Sequence, residues 1–70
     1  MSLLAPKSPG HTWSVAFSAY GGPAVTTISG CDEAEAWVIF GREISRLRRL
    51  EGSRVKISNG KRTVREVVIL

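Results

Sequence analysis

The chain has 70 residues, a formal net charge of +4, one cysteine and one histidine. That length allows one domain with one small core, leaves little room for a cofactor pocket, and holds no run of the ~20 apolar residues that cross a bilayer. A lone cysteine excludes a disulfide scaffold and fits a reducing compartment, and a start without a basic, long apolar leader points to the cytoplasm.

Residues 1–10 hold two prolines, a glycine and two serines. This composition predicts a flexible N-terminal arm, which carries Lys7, ahead of a single domain over 11–70. From His11 to Tyr20, Trp13, Val15, Phe17 and Ala19 alternate with Thr12, Ser14, Ala16, Ser18 and Tyr20, the period of a strand with one buried face. Gly21-Gly22-Pro23 breaks it and predicts a reversal. Val25, Thr26, Thr27 and Ile28 favour a second strand, antiparallel to the first.

Asp32, Glu33 and Glu35 then crowd the start of a helix expected from about Asp32 to about Glu51, where Gly52 stops it. Asp32 with Glu35 has the spacing of a capping box, and Cys31 is the alternative cap. At 100° per residue, Ala36, Phe40 and Leu47 fall together, flanked by Trp37 and Ile44 on one side and Ile39 and Leu50 on the other. Arg42, Arg46 and Arg49 share the opposite face, so charge reversal at Arg42 and Arg46 should leave the fold intact. Gly41 marks either a close approach to the sheet or a tolerated weak helix former.

Val55 and Ile57 alternate along a third strand from Arg54 to Ser58. Asn59-Gly60 has the chemistry of the two central residues of a type I′ hairpin turn. Lys61 to Leu70 is the fourth strand. Its end, Val67-Val68-Ile69-Leu70, is apolar on both faces, which suggests a central strand or an edge strand covered by a partner; the central place gives the preferred sheet order 2-1-4-3. The class is α+β: a ββαββ, four-stranded antiparallel sheet with one helix packed on one face. The uncovered face should receive Val25, Val67 and Ile69 or their neighbours, which invites a homodimer or another partner.

Catalytic and metal chemistry lack ligands. His11 and Cys31 stand alone in their types and in separate segments, short of the three or four ligands of a zinc site. A helix-start position would lower the pKa of Cys31, but a catalytic thiol also needs a nearby base. Asp32, Glu33 and Glu35 are accounted for by the helix start. No cofactor motif is present, and the expected role is non-enzymatic binding.

The basic residues are the candidate binding groups: Arg42, Arg46 and Arg49 on the helix, and Arg54, Lys56, Lys61 and Arg62 on the second hairpin, with Arg65 beside them. Together they would form one electropositive surface for phosphates or an acidic protein patch, or else a solvated face whose arginines offset the helix dipole. An excess of arginine over lysine suits bidentate contacts.

In size and element order, His11–Ile28, Asp32–Leu50 and Arg54–Leu70 resemble the small phage-encoded anti-CRISPR proteins. That resemblance implies inhibition, without catalysis, of a host protein or nucleoprotein complex in the host cytoplasm. The segment Asp32-Glu33-Ala34-Glu35-Ala36-Trp37 is similar to one in the arm-type DNA-binding domains of phage integrases. Their layout differs, because no third strand precedes the helix here and Arg54–Leu70 is additional. The alternative roles are direct DNA or RNA binding and a dimeric assembly module. No membrane partner is expected.

Overall fold

Alternation of apolar and polar residues builds the two strands at the centre of the sheet. A computed structural model describes residues 11–70; the predicted N-terminal arm, with Lys7, lies outside the described residues. The elements run β1 (Trp13–Ser18), β2 (Val25–Cys31), α1 (Glu33–Leu47), β3 (Arg54–Asn59) and β4 (Arg62–Val68). They form one antiparallel four-stranded sheet with a single helix, the expected ββαββ layout.

The sheet order is β2-β1-β3-β4, which corrects the expected 2-1-4-3. The apolar end of the fourth strand suggested a central place, but the strand proper starts with Arg62, Thr63, Val64, Arg65 and Glu66, all exposed. A strand polar over most of its length suits an edge. Its apolar end divides instead. Val67 pairs with Val55 and packs on the core, and Ile69 is buried just beyond the strand. Only Val68, 43% exposed, pairs with Arg54 on the uncovered face. Of the residues expected on the uncovered face, Val67 and Ile69 turn to the core and Val25 pairs with Phe17 on the helix side, so that the neighbour Val68 takes their place there.

Pairing of β1 with β3 matches Val15 with Ile57 and Phe17 with Val55. Register partners share a face, so these residues lie together under the helix. Val15, Val55 and Ile57 are fully buried there with Ala36, Phe40 and Leu47 of α1. Trp37 joins Trp13 to Phe40, with ring centroids 6.3 and 5.5 Å apart and an edge-on contact to Phe40. Its indole nitrogen donates to Glu33 at 3.1 Å.

Asp32 caps the helix, its side chain accepting from the Glu35 amide at 2.8 Å. This settles the cap on Asp32 rather than Cys31, and acidic residues in the first turn complement the exposed amides. The helix ends at Leu47, short of the expected Glu51. The Leu50 amide turns back to the Leu47 carbonyl at 2.8 Å, tightening the chain into a turn. Arg49 thus lies beyond the helix.

The second hairpin also turns differently from expectation. Asn59 pairs with Arg62, so the two loop residues are Gly60 and Lys61. Only Gly60 has positive φ, 66°, which matches a type II′ turn with glycine first rather than the type I′ turn on Asn59-Gly60. The Gly60 amide is held by the Thr12 carbonyl at 2.8 Å, which anchors the loop to the chain before β1. Both edge strands bulge: β2 shifts register around Gly30 and Thr27, and β4 around Val64. Bulges twist an edge away from further strand pairing.

A Cβ on Gly41 would meet nothing within 4 Å, so this glycine is tolerated rather than required by a close approach. Adjacent substitutions should therefore move stability in opposite directions. Phe40→Ala is expected to lower it by about 3–5 kcal/mol, and Gly41→Ala to raise it by up to about 1 kcal/mol. Chemical denaturation followed by tryptophan fluorescence checks both signs.

Candidate functional site

The alternation that fills the core also populates the opposite side of the sheet. Ser14, Ala16 and Ser18 of β1 pair with Ser58, Lys56 and Arg54 of β3, and these residues face away from the helix. Thr26 continues the row on one side of Ala16, and Glu66 continues it beyond Lys56. The small β1 residues leave a shallow depression lined by Ala16, Phe17, Ser18, Ala24, Arg54, Lys56 and Glu66. Its cationic wall is Arg54 and Lys56, two residues apart on one strand and therefore about 6.8 Å apart along it. Among the described residues neither forms a salt bridge.

The helix arginines lie on the other side of the sheet. Arg42 is exposed on α1, and Arg48 and Arg49 are exposed where the chain leaves it. Arg46 is not on a free stripe. Its Nε donates to Glu43 Oε1 at 2.9 Å, and its Nη2 contacts the same oxygen. Its guanidinium also sits 4.8 Å from the centroid of the Phe17 ring. Glu43 is only 6% exposed. A buried carboxylate needs a partner, and Arg46 supplies it. On a helical wheel Glu43 lies within the apolar stripe and Arg46 borders it, and this was the available sequence signal.

The second hairpin divides its charges. By register, Arg62 and Arg65 fall on the helix side of β4, opposite in facing to Arg54 and Lys56. Lys61 and Arg62 stand at the end of the sheet where Trp13 pairs with both Cys31 and Asn59. The helix begins at that end, with Asp32, Glu33 and Glu35. Arg48 and Arg49 follow the far end of the helix, and Arg54 opens β3. The seven candidates Arg42, Arg46, Arg49, Arg54, Lys56, Lys61 and Arg62 therefore do not form one continuous surface. The structure brings Arg54 and Lys56 to one face of the sheet.

Cys31 is buried, and its thiol contacts the Trp13 carbonyl at 3.5 Å. Burial pushes its pKa up, and Glu35 and Asp32 push in the same direction. The helix-start effect expected to lower it is outweighed, which makes this a packing thiol with little thiolate character. No group of three or more metal-ligating side chains occurs among the described residues, and no helix there is long and apolar enough to cross a membrane.

No protein-family model matches the chain, and neither a curated protein nor a solved structure is significantly similar to it.

The Glu43–Arg46 contact separates two arginines that looked equivalent in sequence. Arg42→Glu should change stability by no more than about 0.5 kcal/mol. Arg46→Glu should cost about 1–3 kcal/mol, because it removes the partner of a buried carboxylate and places a like charge beside it. Urea denaturation of the two single variants checks the contrast, and equal stabilities would mean that Glu43 does not need Arg46.

Proposed function

We propose that this chain is a non-catalytic binding protein that receives the phosphate backbone of a nucleic acid on the open face of its sheet. One observation carries the reading: Arg54 and Lys56 project side by side from a central strand, beside a row of small β1 residues that leaves room for a ligand. Cations fixed on a rigid strand suit phosphate, which Arg can bind through two parallel hydrogen bonds. The serines at 14, 18 and 58 on the same face add hydroxyl donors. Glu66, the register partner of Lys56, opposes the binding and tempers it.

The likeness in size and element order to small phage-encoded inhibitors of bacterial defence favours a host nucleoprotein complex as the setting of this contact. The site of action would then be the host cytoplasm. Self-association has less support, because both edges bulge and the open face carries few apolar side chains.

Binding of labelled oligonucleotides, followed by fluorescence anisotropy across salt concentrations, tests the reading. Arg54→Ala and Lys56→Ala should each weaken binding irrespective of sequence and reduce the logarithmic salt slope by about 0.7 to 0.9. Glu66→Gln should tighten it. Unchanged affinities in folded variants, or absence of nucleic-acid binding by the native chain, would overturn the reading.

A further inference from the structure

Tyr20 lies in the turn between Ser18 and Ala24, two residues that line the depression, and has no part in the core. Its side chain is 68% exposed. Among the described residues it is the only non-glycine with positive φ, at 55°. With Gly21, also at positive φ, it forms the centre of a turn closed by the Gly22 amide on the Ala19 carbonyl at 2.8 Å. Asparagine or glycine would hold these dihedrals with less strain than an aromatic residue. A bulky aromatic side chain is thus both unfavourable for the turn and idle in packing. Strain of this kind points toward function.

The turn is held in place at the cationic end of the open face. The Tyr20 amide donates to Ser53 Oγ at 3.4 Å, and Ser53 is fully buried immediately before Arg54. Ser18 and Ala24, which bracket the turn, both line the depression with Arg54 and Lys56. An exposed aromatic residue therefore sits two residues beyond Ser18, the register partner of Arg54. We propose that Tyr20 is a base-stacking residue and that the nucleic acid received by the open face is single-stranded. This rests on the phosphate-binding reading above and extends it. An unpaired base offers its π-face to an aromatic ring, whereas a base inside a duplex does not, and the charge of the Arg54–Lys56 wall complements the strand's backbone.

The test compares the native chain with Tyr20→Asn, Tyr20→Phe and Tyr20→Trp. Each is titrated with a single-stranded oligonucleotide, the matching duplex, and a strand of the same length with abasic sugars. Asparagine suits left-handed backbone, so Tyr20→Asn should remain folded with an unchanged or raised melting temperature. It should lose about 5- to 150-fold in affinity for the normal single strand, the span that one stacked base supplies. Its salt slope should match that of the native chain, because no cation is lost. Tyr20→Phe and Tyr20→Trp should retain binding, and the abasic strand should bind the native chain and Tyr20→Asn alike. Equal affinity of the native chain and Tyr20→Asn for the normal strand would overturn the stacking role. So would a preference for the duplex. In either case the salt-slope behaviour of Arg54→Ala and Lys56→Ala would decide the phosphate reading separately.

Discussion

Pairing between β1 and β3 is the constraint on which the molecule depends. Each hairpin closes locally, β1 with β2 and β3 with β4, but neither can bury its apolar face alone. The register Val15–Ile57 and Phe17–Val55 joins them and creates a surface wide enough for α1 to cover. The same register fixes the outward row, where Ala16 meets Lys56 and Ser18 meets Arg54. A slip of one residue would turn Val55 and Ile57 to solvent and Arg54 and Lys56 into the core. Core and candidate site are two sides of one alternation.

Ser53 ties the distal end of that arrangement together. Its amide bonds to the Leu50 carbonyl, its carbonyl accepts from Ile69, and its hydroxyl oxygen accepts from the Tyr20 amide. The turn that follows the helix, the tail of β4 and the first hairpin turn therefore meet at one buried residue. This ties the backbone of a strained tyrosine to the residue that precedes Arg54. A domain this small has limited core with which to offset such strain, and the clamp is where the surrounding structure holds it.

Much of the architecture was legible in the sequence because the periods were clean. Trp13, Val15 and Phe17 alternate, Ala36, Phe40 and Leu47 recur at helical spacing, and all six are buried except Phe17, which is partly buried against the core. The order of the strands was not legible. Val67 to Leu70 looks like a central strand in isolation, yet Ile69 is buried by bonds to the 52–53 segment that no local pattern encodes. The turn at Gly60 depended on one residue of register. At the candidate site, the individual cations were readable but their grouping was not. Whether Arg54 and Lys56 face the helix arginines is decided by which side of the sheet α1 covers. Arg46 was misplaced because a buried acid three residues earlier captures it, a pairing visible only once Glu43 is recognised within the apolar stripe.

The most direct test of the account is to map the binding face residue by residue. Backbone amide shifts of the labelled protein, followed by NMR during titration with a short single-stranded oligonucleotide, report which side of the sheet the ligand occupies. The largest changes should fall on 14–18, Tyr20 and 54–56, with Arg42 and the exposed face of the helix unaffected. Changes centred on Arg42, Arg48 and Arg49, or on the Gly60-Lys61 turn, with the open face silent, would contradict it.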